Sequence, residues 1–324
     1  MTTPRKRCAV SVDLDSIACY YRIHALGPAP VELEHAILER ALPRAAKLFH
    51  DRGIPVTWFV VGRDADAEAG LPDRAARAAN GERLRALAAH GDELGNHSYA
   101  HPYELARQSA AEVDDEITSC DRVLRAIGGR PVRGFRAPGY DISPAMLDVL
   151  ARLGYRYDSS VFPAPGYYAA KAGVMAALAV IGRPSGAVMT NPRGLLAPID
   201  PYRPAMAAPW RRGQAPVVEL PVAVTRWARV PAIGTSLLVL PALLRRRIVD
   251  AMGERSFFNF ELHGIDFADA EQDGIPGELV ARQPDLRLPI AEKLARLGRL
   301  LDDLATRWHF ATLADVAADV QRDA

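Results

Sequence analysis

The sequence has little cysteine: Cys8, Cys19 and Cys120 are the only three in 324 residues, scattered and odd in number. They exclude a disulfide framework and a thiolate zinc site, leave at least one thiol free, and fit a reducing compartment. Charge of one sign is also lacking, since 40 Lys+Arg against 39 Asp+Glu leave a net +1. Without a global basic field, nucleic acid is not an expected partner. Long apolar runs are missing as well. The two most apolar stretches, Ala169 to Ile181 and Ala232 to Leu244, fall short of the roughly 20 apolar residues that span a bilayer. The basic start Met1 to Arg7 runs straight into Cys8-Ala9-Val10-Ser11-Val12 without the apolar region and cleavage site of a secretory leader, so a cytoplasmic protein is expected. What is present, 49% hydrophobic and 24% charged residues, suffices for a sizeable core.

Short apolar runs alternate with helix-patterned segments, the signature of repeated βα units and a mostly parallel sheet or barrel. Strands are expected at Cys8 to Val12, Pro55 to Val61, Glu93 to Asn96, Val132 to Arg136, Tyr155 to Asp158, Val217 to Val222 and Phe257 to Leu262. Helices are expected at Glu32 to Arg52, at Arg74 to His90 closed by Gly91, and at Ala110 to Ile127 closed by Gly128-Gly129. Another starts at the Ser143 cap with Pro144 in its first turn, and two more lie near Pro289 to Trp308 and Asp315 to Gln321. Between Phe162 and about 215, frequent Pro and Gly mixed with Ala-rich stretches predict an insertion with one helix near Tyr168 to Ile181 and long loops.

Four groups of residues carry chemistry. In Asp13-Leu14-Asp15-Ser16, two carboxylates two apart at the end of an apolar run share one face, and like charges there call for a cation or an arginine. In His97-Ser98-Tyr99-Ala100-His101, two imidazoles four apart on a helical turn can share an ion with a third ligand. In Arg136-Ala137-Pro138-Gly139-Tyr140, Arg136 can hold a carboxylate ionised, and Pro138-Gly139 turns the chain so that backbone N–H groups are exposed. Late in the chain, His263 with Asp266 nearby reads as a poised general acid. Each group follows a short apolar run, and the carboxyl ends of barrel strands gather at one rim.

Together these four pieces resemble the polysaccharide deacetylase family, NodB-like and also called carbohydrate esterase family 4, over roughly Cys8 to Trp308. The resemblance implies a distorted α/β barrel of about seven strands, one domain over 1–324 with the insertion at 162–215. It implies a metal-dependent hydrolase that removes an acetyl or formyl group from an N-acylated amino sugar or sugar conjugate. By matching motif, Asp13 is expected as general base and Arg136 as its partner. Asp15, His97 and His101 are expected to hold a divalent metal, Zn²⁺ first, with Co²⁺, Ni²⁺ or Mn²⁺ as substitutes. His263 is expected to protonate the leaving amine. The Tyr140 backbone N–H is expected to hold the oxyanion, Pro138 and Asp266 to lie on the substrate side, and Asp266 to orient His263.

The first motif departs from the family's adjacent aspartates before Gly, and the fourth motif with its Trp and Asp is not recognisable. The spacing resembles a subgroup with peptidoglycan deacetylase-like and allantoinase-like members, which also shares Asp158-Ser159-Ser160. Two other readings therefore stay open: hydrolysis of a non-sugar amide or ureide, and a catalytically silent carbohydrate-binding barrel. The apolar segments Val174 to Ile181 and Leu237 to Leu244, the latter followed by Arg245-Arg246-Arg247, read as buried helices, as homo-oligomer contacts, or as peripheral membrane contacts admitting a lipid-carrier-linked sugar. Tyr20, Tyr21, Tyr167 and Tyr168 either line a sugar cleft or pack in the core.

Overall fold

The computed structural model describes residues 6–180, 182 and 185–322. Residues 1–5 of the basic start and Ile181, the end of an apolar stretch, lie outside them. The strands are β1 (Arg7–Asp13), β2 (Val56–Val60), β3 (Glu93–Asn96), β4 (Gly134–Phe135), β5 (Tyr157–Asp158), β6 (Pro204–Ala205), β7 (Ala208–Arg212), β8 (Val218–Glu219), β9 (Phe257–His263) and β10 (His309–Phe310). The helices are α1 (Ile17–Ile23), α2 (Leu42–His50), α3 (Arg74–His90), α4 (Ala110–Gly128), α5 (Pro144–Leu153), α6 (Pro165–Val180), α7 (Gly234–Val239), α8 (Ala242–Met252), α9 (Gly277–Val280), α10 (Ile290–Ala305) and α11 (Leu313–Arg322). Punctuation residues set several ends as expected. Gly91 and Gly154 take left-handed conformations after α3 and α5, Ser109 and Glu112 form a capping box on α4, and Ser143 accepts from Met146 N at the start of α5.

Eight strands form one sheet, all in parallel register. β1 is its axis, pairing with β9 along one edge from Arg7↔Phe257 to Asp13↔His263, and on the other edge with β10 at its start and β2 at its end. The order then runs β2-β3-β4-β5-β8. Past β8 the chain returns to β9, where Ala223 N donates to Asn259 O and Asn259 Nδ2 to Leu220 O, so the sheet curls into a distorted barrel. The expected architecture is thus present, with the two-residue β10 as an eighth strand.

Side-chain parity divides β1. Cys8, Val10 and Val12 pack outward in the core cluster under the helices, whereas Ala9 faces inward with Phe59, Tyr157 and Phe257. Ser11 and Asp13 share the inward parity of Ala9. One end of the interior is plugged by α11, whose Leu313, Val316 and Ala317 join the inner cluster while Leu313 N donates to Thr57 Oγ1. The other end holds the strands' carboxyl termini.

Local elements differ from expectation where tertiary pairing decides. β4, β5 and β8 keep only two paired residues each, shorter than the apolar runs around them. The helical stretch expected over Glu32 to Arg52 enters through a 3₁₀ turn at Val31–Leu33 and a wider π-type turn at Ile37–Ala41 before α2 begins. Within the insertion, α6 lies close to the expected helix, but β6 and β7 add an antiparallel hairpin that its Pro- and Arg-containing sequence conceals. Leu237 and Leu238 are buried, whereas Val174, Val180, Leu243 and Leu244 are exposed, so burial accounts for only part of the two apolar segments. Among the described residues no helix is long and apolar enough to cross a membrane.

Candidate active site and metal centre

The predicted side chains meet at one rim because each lies at or just past the carboxyl end of a parallel strand: Asp13 at the end of β1 and Asp15 after it, His97 and His101 after β3, Arg136 after β4, His263 at the end of β9. Asp13 is buried and takes a 2.6 Å ion pair from Arg136 Nη1. Arg136 is itself fully buried. Its Nε donates to Ser159 O, its Nη2 to Ser11 Oγ and Ser159 Oγ, and its guanidinium lies 4.2 Å over the Phe59 ring. Ser159 therefore explains part of the Asp158-Ser159-Ser160 run. Ser160 Oγ explains another part, accepting from Ala137 N and donating to Asp158 Oδ1.

Asp15 Oδ1 lies 3.1 Å from His97 Nε2 and 3.2 Å from His101 Nε2. The two imidazoles do not share a helical turn, which corrects the expectation from their spacing. They sit in a loop after β3 in which Ser98 and His101 have positive φ, 63° and 57°. Asn96 Oδ1 accepts from Ser98 N, Ser98 Oγ accepts from His101 N, and Glu116 of α4 accepts from Tyr99 N and Ala100 N. Side-chain bonds to the backbone thus bend the loop without a helix.

The donor set fits a divalent cation on three observations. His97 Nδ1–H donates to Arg136 O at 2.7 Å, which directs Nε2 to Asp15 in the tautomer a metal requires. Among the described residues, His101 Nε2 is buried without a hydrogen-bond partner. The three ligand atoms lie within 4.8 Å of one another. Burial opposes the Asp15 charge, yet the adjoining imidazoles hold its carboxyl well below the usual range. For His101 burial is likewise overcome, by Asp15 and Cys19, and its value stands well above ordinary imidazole. Cys19 Sγ, 3.5 Å from His101 Nδ1, was not foreseen as part of the site.

His263 corrects a second expectation. Its ring is paired by Glu261, whose Oε1 stands 2.9 Å from Nδ1, and not by Asp266. Asp266 instead accepts from the His263 backbone N–H and from Thr235 Oγ1, and burial with Asp285 nearby pushes its carboxyl up to about 7. Glu261 was legible in principle, being a carboxylate at His263's own inward parity on a buried strand. Burial disfavours the charged ring, but the Glu261 carboxylate holds His263 well above its ordinary value, and the same pairing keeps Glu261 low.

Tyr140 has φ 61°, and its backbone N–H donates to Ala137 O at 3.3 Å, closing a turn, so it is not the free oxyanion donor expected. Its hydroxyl approaches His263 Nε2 at 3.2 Å. A cavity of about 320 Å³ opens above these groups, lined by Asp13, Asp15, His97, Tyr140 and His263. Tyr20 and Tyr167 reach it, while Tyr21 and Tyr168 do not; neither do Pro138 and Asp266, which are buried behind it.

Residues 33–157 match the polysaccharide deacetylase family model. A peptidoglycan deacetylase of Helicobacter pylori is 24% identical over 155 residues, 47% of this chain and 48% of that protein. A chitooligosaccharide deacetylase of Azorhizobium caulinodans is 29% identical over 115 residues, 35% of this chain and 49% of that one. The chain spans about half the length of these curated relatives. Among solved structures, a protein of Mycobacterium smegmatis assigned as a polysaccharide deacetylase superposes with a TM-score of 0.62 at 16% identity, over 100% of this chain and 93% of that one. PuuE allantoinase does so at 0.58 and 14%, over 98% and 91%. Both share the fold. The family match, its relatives and the shared barrel agree, and over residues 33–157 the chain is similar to the polysaccharide deacetylase family.

Proposed function

We propose that the protein is a metal-dependent hydrolase that cleaves a linear amide C–N bond, removing an acetyl or formyl group from an N-acylated amino sugar or sugar conjugate. The observation that carries this reading is the convergence of an arginine-held carboxylate, an Asp-His-His donor set and a carboxylate-paired histidine around one cavity. Asp15, His97 and His101 are the ligands in this proposal, and one carboxylate with two imidazoles suits Zn²⁺, with Co²⁺, Ni²⁺ or Mn²⁺ able to replace it. When bound, such an ion supplies Lewis acidity for the scissile carbonyl and lowers the pKa of water.

Arg136 holds Asp13 in place through the 2.6 Å ion pair, so that its other oxygen can accept the proton of the attacking water. His263, held protonated by Glu261, delivers a proton to the departing nitrogen, and the Tyr140 hydroxyl orients its Nε2 edge. The described chain acts as one barrel domain with 162–215 inserted. A second reading keeps this machinery for a ureide, as the nearly full-length fold likeness to an allantoinase allows.

The test is elemental analysis of the protein after zinc reconstitution, beside Asp15→Ala and His97→Ala, followed by acetate and formate release from N-acyl hexosamines. Near-stoichiometric metal lost in both variants, with turnover lost in Asp13→Asn while metal stays, is expected. No metal after reconstitution overturns the proposal in favour of a silent barrel, and ureide opening without acyl release favours the second reading.

A further inference from the structure

The walls of the catalytic cavity differ in character from its floor. The floor carries the ionic groups described above, whereas the walls are formed by Ile23, Tyr103, Tyr167, Val174, Met175 and Ile233. Of the other polar side chains at the wall, His24 Nε2 pairs with Gln283 Oε1, Lys171 Nζ donates to Val188 O and Ser185 Oγ to Ile23 O, so that few groups, chiefly the Tyr20, Tyr103 and Tyr167 hydroxyls, remain for a ligand. A pyranose brings several hydroxyls, and each one buried without a partner costs the desolvation of a polar group. Such a wall satisfies few of them, and about 320 Å³ lies at the small end of ligand sites.

Much of this wall belongs to α6, from the inserted segment. Lys171 is the one charged residue in its sixteen, and of its residues Tyr168 alone is fully buried. Val174 lines the cavity and is 57% exposed, and Val180, at the end of the helix, is 88% exposed. Apolar side chains of α6 are therefore exposed both at the cavity mouth and beyond it. Exposed apolar surface that adjoins a site is suited to the apolar part of its ligand.

We propose that the substrate is amphiphilic: an N-acyl group on a single small polar unit that carries an alkyl or aryl substituent, seated against Tyr167, Val174 and Met175 of α6, and not an interior unit of a sugar polymer. This rests on the hydrolase reading above and specifies its substrate. Because each buried methylene favours binding by about 0.8 kcal/mol, a chain of which two to three methylenes are covered binds on the order of 10- to 50-fold more tightly than a methyl group.

The experiment compares methyl and octyl N-acetylglucosaminide, below micellar concentration, with di-N-acetylchitobiose on the zinc-reconstituted protein, reading acetate release and calorimetric binding. Expected are a KM or Kd at least tenfold lower for the octyl glycoside than for the methyl, and poor use of the disaccharide. Val174→Asp, at an exposed helical position where folding is verified by circular dichroism, brings the octyl-to-methyl ratio close to one. Equal values for both glycosides in the wild-type protein, or a ratio unmoved by Val174→Asp, overturn the inference while acetate release upholds the hydrolase. Tighter octyl binding that depends on Val174 without acyl release from any probe keeps the apolar subsite and overturns the hydrolase reading.

Discussion

Arg136→Met retains an apolar stem of similar length but removes the charge that faces Asp13 at 2.6 Å. Arg136 is fully buried and Asp13 is 2% exposed. Breaking a buried ion pair from one side costs about 3–5 kcal/mol, because the remaining charge is left uncompensated. The guanidinium also donates to Ser159 O, Ser159 Oγ and Ser11 Oγ, and leaving buried acceptors without donors costs about 1–3 kcal/mol, not simply added to the first cost. In an Asp13→Asn background the first cost disappears and the second stays. Arg136→Met is therefore expected to destabilise the native sequence by about 4 kcal/mol and the Asp13→Asn protein by about 2 kcal/mol, a coupling of about 2 kcal/mol between the two positions. Urea denaturation of the four proteins at pH 7 measures it. Equal costs in both backgrounds refute the claim that Arg136 stabilises Asp13 as a buried carboxylate.

Three further outcomes follow from the same geometry. Glu261→Gln removes the charge that holds the His263 pKa up, so the acid form is lost at lower pH and the alkaline limb of the kcat/KM profile moves acidward; an unmoved limb counts against the pairing. Asp158 and Glu219 are register partners, fully buried, and among the described residues Asp158 Oδ2 and Glu219 Oε2 have no hydrogen-bond partner. Burial raises both carboxyls, and for Glu219 the Asp158 beside it adds to the rise. A raised native pKa means stability falls as pH climbs above the ordinary carboxyl range near about 4.3, so Glu219→Gln should flatten that decline in urea midpoints from pH 5 upward, and an unchanged slope excludes a raised Glu219 carboxyl. At Gly134 an added Cβ would sit 1.8 Å from Tyr157 Cζ. Gly134→Ala must displace the ring that donates to Glu93 Oε1, and a loss of about 1–3 kcal/mol in chemical denaturation is expected, while a neutral result shows the ring to be mobile.

Sequence periodicity was most informative where local physics dominates. The ends of α3, α4 and α5 follow from glycine and serine chemistry in neighbouring residues. β1, β2, β3 and β9 are long enough for apolar runs to mark them, and motif order alone assigns Asp13, Asp15, His97, His101, Arg136 and His263 to one rim. β4, β5 and β8 fall inside the expected runs but are cut to two paired residues, and β10 went unread, because such short strands exist through pairing with neighbours distant in sequence. The hairpin of β6 and β7 is concealed for the same reason.

By itself, the sequence determined the βα alternation, the family resemblance and the types of groups gathered at the rim, since these depend on residue identity and short-range spacing. Tertiary structure alone decided that His97 and His101 meet across a bent loop, that Glu261 and not Asp266 pairs with His263, that the Tyr140 N–H closes a turn, and that α6 forms an apolar wall of the cavity. Each of these depends on where a side chain or a peptide group finds its partner, and those partners come from segments folded beside it as well as from adjacent residues.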